Sequence, residues 1–344
     1  MSPDIPDARK SFMDKAKHLM DDGRWPGLQL AMDAVILTSK GDDPSTKKML
    51  MTAHRLRGHA LGRMSRFEDA LTDLQVALDL SKALGDKHSE AQTLATLGNV
   101  SWNMGNNDLA MDFYKSALDL SKEIDDLVIQ AQVIIGLSNT KFVQGKLDEA
   151  ISGFGSAIDI LAKRDPSEPL SRAYNNLGEA LIKEGRYDEA IVSLNKSVDI
   201  AEKLGNVMAR GFGRSNLALC YANKGDLAKA KDLVDKAIID LGKAHDQAGL
   251  VQATCTLGMI FAIEKKYDHA LQEIRKAESM AMRDGLDAVK GDVLIQKARV
   301  LAKVESGFSA RNAYSEAIDL LTRLGNTKMA KELEQEMTRM SLPR

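Results

Sequence analysis

Several features are scarce in this chain, and each scarcity excludes a class of protein. Cys220 and Cys255 are the two cysteines among 344 residues, too few for a disulfide framework and without metal-ligand spacing. Seven prolines and an aromatic content of 5%, beside many Ala, Leu, Lys and Glu, favour an all-helical chain. No uninterrupted apolar run approaches the length that crosses a bilayer, so we expect no membrane insertion.

An excess of charge of one sign is also lacking. The formal net charge is −2, which gives no global attraction to nucleic acid or to anionic membranes. Arg55, Arg57, Arg63 and Arg66 form a locally basic stretch. Such a stretch is more typical of a solvated helix face than of a phosphate-binding patch, so we expect no nucleic-acid partner.

The start of the chain gives no sign of a secretory leader. The sequence MSPDIPDARK carries acids and prolines and no apolar core segment. Together with the few cysteines, this favours a cytoplasmic protein.

What the chain does contain is a repeat with a period of 40 residues. An alanine recurs in strict register, with one small residue twelve positions before it and another seven positions after it. The three columns are Ala70, Ala110, Ala150, Ala190, Ala230, Ala270 and Ala310; Gly58, Gly98, Ser138, Gly178, Ala218, Gly258 and Ala298; and Ala77, Ala117, Ala157, Ser197, Ala237, Ala277 and Ala317. Self-similarity of this kind indicates a repeat array.

Each unit is predicted to fold as two helices. The pair Leu177–Gly178 and its equivalents lie on an apolar stripe of helical spacing, which defines a first helix. A glycine then ends that helix in the left-handed conformation, at Gly105, Gly145, Gly185 and Gly225. A second helix begins near an acidic residue, at Asp108, Asp148, Asp188 and Asp268. Large residues are expected to fill the groove between one pair and the next: Tyr114, Phe154, Leu194 and Tyr314.

The Leu-Gly pair, the YDEA sequence at 187–190 and the small residues at these spacings resemble the tetratricopeptide repeat. The 40-residue period is similar to the long-period arrays of Leu-Gly-Asn-repeat polarity proteins, kinesin light chains and bacterial peptide-sensing regulators. The resemblance covers seven units over residues 44–323. It implies an all-α fold, a right-handed superhelical α-solenoid of helix-turn-helix pairs.

The two ends of the chain are predicted to extend this array. Residues 8–40 match residues 66–82 in part and form a degenerate pair, so residues 1–43 are a tail and a capping pair. Residues 324–344 contain a final amphipathic helix with Met329, Leu333, Met337 and Met340 on one stripe, and we expect it to be a cap. The prediction is eight helix pairs and a final helix in one continuous solenoid.

No constellation of reactive residues points to an enzyme. The six histidines are scattered over different units and lack metal-ligand spacing: His18, His54, His59, His88, His245 and His269. The GFGR sequence at 211–214 lies inside a first helix with no preceding strand, so it is not a phosphate loop. We expect a non-enzymatic protein without a metal or cofactor.

The resemblance implies that first helices line a concave face whose side chains contact ligands. The residues that it places there are Gln92, Asn99, Asn103, Gln132, Asn139, Phe142, Arg172, Asn175, Glu179, Lys183, Arg214 and Asn223, with Leu219, Cys255, Met259 and Ala262 forming a less polar continuation. Side-chain amides can bond the backbone of a bound peptide without demanding one sequence. Ordinary solvation of these polar residues is the alternative.

Chaperone-binding members of the family hold a carboxylate with five clamp positions from three successive repeats. Asn99, Asn139 and Arg172 match three of these positions, but Ala95 and Asn176 stand where the family has basic residues. The loss of two cations removes most of the charge-assisted binding, so a chaperone tail is disfavoured.

Three functions remain open from the sequence. The first is a scaffold that binds a peptide or helix of a partner protein in the groove. The second is a regulatory sensor of a small signalling peptide, although the repeat pattern starts near residue 8 and leaves no room for an N-terminal output module. The third is a structural protein that self-assembles through its ends, and the sequence does not define an oligomeric state.

Overall fold

The computed structural model describes residues 5–21, 24–304 and 307–340, and these residues form helices joined by short turns. The first helices of the pairs are α1 (Ile5–Asp21), α3 (Pro44–Arg63), α5 (Lys87–Asn103), α7 (Leu127–Val143), α9 (Glu168–Lys183), α11 (Val207–Asn223), α13 (Gln247–Ile263) and α15 (Asp287–Val304). The second helices are α2 (Trp25–Thr38), α4 (Phe67–Leu84), α6 (Asn107–Glu123), α8 (Leu147–Leu161), α10 (Tyr187–Lys203), α12 (Leu227–Lys243), α14 (Tyr267–Arg283) and α16 (Phe308–Arg323). A last helix, α17 (Thr327–Met340), follows them.

These helices confirm the predicted α-solenoid. Eight pairs and a final helix are present within the described residues, and within each unit most helix contacts join sequence neighbours. Residues 1–4, 22–23, 305–306 and 341–344, which belong in part to the predicted tail, caps and last unit, lie outside the described residues.

The chain divides into two compact units. The first unit is Met1–Asn176 and the second is Leu177–Arg344. The division falls inside α9, whose first half belongs to the first unit and whose second half belongs to the second.

The repeating small residues lie where paired helices touch. All seven alanines of the Ala190 column have 0% of their surface exposed. The glycine column has the same role: a Cβ on Gly178 would lie 2.5 Å from Leu194 Cγ. Close approach of this kind is possible only without a side chain, so the columns set the spacing within each pair.

The large residues pack within a pair as well as between pairs. Leu194 lies against Gly178 of its own pair, whereas the Tyr114 ring lies against both Gly98 of its own pair and Gly136 of the next. The predicted location between pairs is therefore correct for Tyr114 and incomplete for Leu194.

A residue in the left-handed conformation recurs at almost every turn. The glycines predicted to end first helices have positive φ: Gly105 (85°), Gly145 (75°), Gly185 (76°) and Gly225 (90°). The turns between pairs use Gly85, Gly205, Gly285 and Gly325 in the same way. Four equivalent positions are not glycine, namely Ser65, Asp125, His245 and Lys265. Left-handed residues therefore follow one another at intervals of about 20 residues, as helix termination requires.

Side-chain caps begin several first helices, and among the second helices Asn106 caps α6, which holds Asp108 in its first turn, and Asp226 caps α12. Asp126 accepts hydrogen bonds from the backbone N–H groups of Val128 and Ile129 at the start of α7. Asp246 caps α13 in the same way by accepting a hydrogen bond from the backbone N–H of Gly249. The predicted acids Asp148, Asp188 and Asp268 lie in the first turn of second helices whose preceding residue makes no side-chain cap. These acids therefore stabilise the helix through its dipole rather than by capping.

First helices are closer together than second helices. Within the first unit α3 packs on α5 and α5 on α7, and within the second unit α11 packs on α13 and α13 on α15. Neighbouring second helices do not pack on each other to a comparable extent in the described part of the chain. The first helices thus line the inner face of each unit, as curvature of a solenoid requires.

Candidate functional site

The inner face of the first unit carries asparagines at the same position of successive repeats. Tyr114 Oη donates a hydrogen bond of 2.7 Å to Asn99 Oδ1, and Asn176 Nδ2 donates one of 2.8 Å to Asn139 Oδ1. Because each carbonyl oxygen is already bonded, the amide groups of Asn99 and Asn139 are held in one orientation. An ordered pair of amides can meet a ligand without losing much side-chain entropy.

Asn175 does not continue this column. The 40-residue period leads from Asn99 to Asn139 and then to Glu179. Asn175 therefore lies four residues, or about one helical turn, before the position that continues the column. It shares the face of the column without sharing its register. The residue that contacts Asn139 is its neighbour Asn176.

Other predicted residues of the first unit lie at or near this face with weaker constraints. Gln92 Nε2 is 2.9 Å from His88 Nε2, and Gln132 is half-buried. Asn103, at the end of α5, is exposed. Arg172 Nη1 lies 3.2 Å from Glu168 Oε1, one turn earlier on α9, and its side chain is 42% exposed.

The structure separates Arg214 from the inner face. Its guanidinium bonds Asp240 Oδ2 on α12 at 2.6 Å and Glu202 Oε1 at 2.8 Å. Asp240 is buried and also receives two hydrogen bonds from Arg210. The reason is register: Arg214 is two residues after Phe212, which holds the Arg172 position, and two residues turn a helix by about 200°. Arg214 therefore ties α11 to α12.

The inner face of the second unit carries carboxylates. Glu179 on α9 and Asp292 on α15 reach solvent, yet they lie inside the curve of the first helices, where protein replaces much of the surrounding water. Burial raises the pKa of Asp292 to about 6 against the opposing effect of Lys183. Burial, with the Asp292 charge adding to it, raises the pKa of Glu179. Charges on helices three pairs apart thus act on each other within this unit.

The other predicted residues of the second unit are less distinctive. Asn223 Nδ2 donates to the Leu219 carbonyl of its own helix at 2.8 Å and is exposed. Leu219 and Met259 are half-buried on inner helices. The buried thiols of Cys220 and Cys255 have pKa values raised to about 12 by burial, which keeps them protonated and unreactive at neutral pH.

Sequence reasoning missed a group of residues near the start of the first unit. Of the four neighbouring arginines, Arg57 bonds Asp73 and Asp33, and Arg66 bonds Asp69. Arg55 and Arg63 make no ion pair within the described residues. The spacing of residues 55, 59 and 63 along one helix face is the signal that could have separated these two arginines from the others.

His59 lies between these two arginines on α3. Its ring centroid is 5.4 Å from that of Trp25, and the Arg63 guanidinium lies 5.3 Å from the Trp25 ring centroid. Burial lowers the pKa of His59 to about 4, with further lowering by Arg63, Arg55 and Arg172. The imidazole is therefore neutral at pH 7, and the positive charge at this place belongs to the arginines.

The described part of the chain offers neither a metal-binding cluster nor a candidate membrane span. No group of three or more His, Cys, Asp or Glu side chains there is arranged to hold a metal ion. None of the helices there combines the length and apolar character that crossing a membrane needs.

Comparison with known proteins gives a consistent fold. The tetratricopeptide repeat family model matches residues 49–123 and 129–203. No curated protein sequence matches the chain. Among solved structures, a Rap protein complexed with competence and sporulation factor aligns over 98% of this chain and 97% of its own, with 15% identity and a TM-score of 0.62.

Two more solved structures share the architecture. The apo form of the quorum sensor NprR from B. thuringiensis aligns over 91% of this chain and 87% of its own, with 17% identity and a TM-score of 0.66. A chain of the APC/C hetero-tetramer Cut9–Hcn1 aligns over 96% of this chain and 55% of its own, with 17% identity and a TM-score of 0.63. The matched repeats, the 40-residue register and the paired helices make this chain similar to tetratricopeptide repeat proteins.

Proposed function

We propose that this protein is a non-enzymatic interaction module that binds an extended or helical segment of a partner protein on its inner face. The observation that carries the proposal is the pair of oriented amides, Asn99 and Asn139, on successive first helices. Oriented amides on an inner solenoid surface can hydrogen-bond a peptide backbone.

The spacing of the first helices suits a peptide backbone. Packed helices lie about 8–10 Å apart, and an extended chain advances about 3.3 Å per residue. Asn99 and Asn139 would therefore bond peptide groups about three residues apart. Such contacts read the backbone and leave the side chains of the ligand to other positions.

The second unit adds an apolar surface. Leu219 and Met259 are half-buried on inner helices there, and burial of apolar ligand side chains would contribute about 25 cal/mol per Å² of area removed from water. We expect a segment that binds the first unit to have some acidic character, because of Arg172. A segment that binds the second unit would place apolar residues against Leu219 and Met259.

The test begins with the partner. Affinity purification of the tagged protein from its native cells, followed by mass spectrometry, identifies candidate partners. Each candidate segment is then titrated by calorimetry against the wild type and the triple variant Asn99→Ala, Asn139→Ala, Arg172→Ala. We expect at least about 100-fold weaker binding, since two hydrogen bonds and one charge-assisted contact are lost.

A matched variant controls for surface charge and polarity. Asn195, Asn312 and Arg275 are exposed on second helices, and their replacement by Ala removes the same chemical groups from the outside. This control should bind as the wild type does and melt near the wild-type temperature. The triple variant should melt at a somewhat lower temperature but stay folded, because Asn99→Ala leaves the buried Tyr114 hydroxyl without its acceptor. Equal affinities of all three proteins would move the site to the outer face or the ends of the array.

A second candidate function is the sensing of a small signalling peptide. The fold is similar to that of the quorum sensor NprR and of a Rap protein in complex with a signalling factor. Arg172 on α9 contributes to the lowered pKa of His59 on α3. We expect a sensor to change the spacing of these two helices when a peptide binds. Small-angle scattering with and without the bound segment distinguishes the two functions: a scaffold keeps its dimensions, whereas a sensor changes them.

A further inference from the structure

We propose that Arg55 and Arg63 of the first unit form a binding patch for two acidic side chains of one peptide segment, with Trp25 and His59 as its floor and with Arg172 on α9 adding positive charge. This patch, here called the basic inner patch, rests on the proposed function and names one chemical property of the ligand. Sequence reasoning assigned two of these arginines to a solvated helix face, and the structure gives three reasons to reverse that assignment.

The first reason is that the charge of the patch is not neutralised. Neither Arg55 nor Arg63 forms an ion pair within the described residues, and the buried Arg55 Nε has no hydrogen-bond partner there. Two carboxylates face the patch: Glu168 lies 3.2 Å from Arg172, and Asp86 acts on Arg55 from a longer distance. Asp86 is itself engaged by Ser89 and influenced by Lys48. A positive excess therefore remains, in contrast to the paired Arg57 and Arg66.

The second reason is that the patch is ordered without a counter-ion. Arg63 lies over the Trp25 ring, an arrangement that positions a guanidinium but leaves its charge intact. His59 packs against the same ring and is neutral at pH 7, so it separates the two arginines of α3 without adding charge. A preformed guanidinium loses less entropy when it binds a carboxylate.

The third reason is the distance between the charges, which selects the ligand. Arg55 and Arg63 are eight residues apart on α3, which corresponds to about 12 Å along the helix axis. One phosphate group is too small to bond both arginines, whereas an extended peptide with acidic residues four positions apart spans about 13 Å. The patch therefore fits two carboxylates of one chain segment.

The test uses a defined probe and needs no knowledge of the natural partner. The probe is an acetylated, amidated pentapeptide with glutamate at its first and last positions and serine between them. The control peptide has glutamine in place of both glutamates, and inorganic phosphate is a third titrant. NMR follows the indole N–H of Trp25 and the ring protons of His59 in the full-length protein, and the Trp102 indole on α5 is the internal reference.

We expect the glutamate peptide to shift the Trp25 signal and to raise the pKa of His59 from about 4, because nearby carboxylates favour the imidazolium. Arg55→Gln and Arg63→Gln should each weaken binding about ten-fold. Arg66→Gln is the matched control, since it removes the same charge from an arginine paired with Asp69 and should leave binding unchanged. Circular dichroism melts confirm that each variant is folded.

Three results would overturn the proposal. The glutamine peptide could shift the signals as strongly as the glutamate peptide, Arg66→Gln could weaken binding as much as Arg55→Gln, or phosphate could bind more tightly than the peptide, which would indicate a small-anion site. Failure here leaves the proposed function standing if the partner still depends on Asn99 and Asn139. If instead partner binding does not depend on Asn99 and Asn139 but the glutamate peptide still binds, the basic inner patch is supported and the proposed function is not.

Discussion

The two units carry opposite charge at equivalent positions of the repeat. Arg172 on the inner face of the first unit and Asp292 on that of the second are 120 residues apart, which is three repeats. In the same register the neutral imidazole of His59 corresponds to the carboxylate of Glu179. The buried columns do not differ: Ala110 and Ala230 are both fully buried. The lesson is that helix packing fixes the small residues, whereas the inner positions contact no core and are free to acquire different chemistry.

The largest expected effect concerns a feature that the two units share. Each has a buried aspartate that joins two basic side chains: Asp73 bonds Arg57 and His54, and Asp240 bonds Arg210 and Arg214. Burial opposes ionisation of Asp73, but these hydrogen bonds still lower its pKa. Asp73→Ala and Asp240→Ala should each reduce the free energy of unfolding by about 3 kcal/mol, because two half-buried basic side chains lose a shared charge-assisted hydrogen-bond acceptor.

Chemical denaturation measures this loss, and Asp188→Ala is the control. Asp188 pairs with Lys224 at the surface, with 83% of its side chain exposed, so its removal should cost only the helix-dipole contribution of about 0.3–1 kcal/mol. A large difference between Asp73→Ala and Asp240→Ala would show that the two ion networks are not equivalent.

An intermediate effect tests whether the buried columns are equivalent. Ala110→Leu and Ala190→Leu insert three carbons where paired helices touch, and each should cost about 1–3 kcal/mol of unfolding free energy. Ala228→Leu makes the same change at an exposed position of α12 and should cost nearly nothing. The comparison fails if the thermal midpoint of either buried variant equals that of the wild type.

The smallest effect belongs to the inner face of the second unit. The pKa of Asp292 is raised to about 6, so between its ordinary value near 3.8 and about 6 the folded protein binds more protons than the unfolded chain. Stability due to this group is therefore present at low pH and is lost as pH rises through about 6. Asp292→Asn should raise the melting temperature at pH 7.5 relative to the wild type, and this gain should vanish at pH 3.5.

The control for this prediction is Asp235→Asn at an exposed position of α12. Its difference from the wild type should be the same at both pH values. A pH-independent gain for Asp292→Asn would mean that the substitution acts through packing rather than through the carboxylate charge.

Most of the fold could be predicted from the sequence, but little of the candidate site could. Small residues recur in the columns of Ala190 and Gly178 because paired helices lie too close together there for a large side chain. A constraint that repeats in this way is visible in one sequence. The pairing of Arg214 with Asp240 occurs once, and so does the edge-to-face contact of Trp25 with His59. A contact that occurs once leaves no period, so only the relative placement of the helices reveals it.

The turns have a consequence for how such a chain changes over evolutionary time. Ser65 and Lys265 hold the left-handed conformation at positions where other repeats have glycine, at a cost of about 1–2 kcal/mol each. That cost stays with one turn, since a repeat contacts only its neighbours. Each copy of a duplicated unit can therefore accumulate mutations on its own, and a lineage can test new inner side chains in one repeat while the remaining copies keep the array folded.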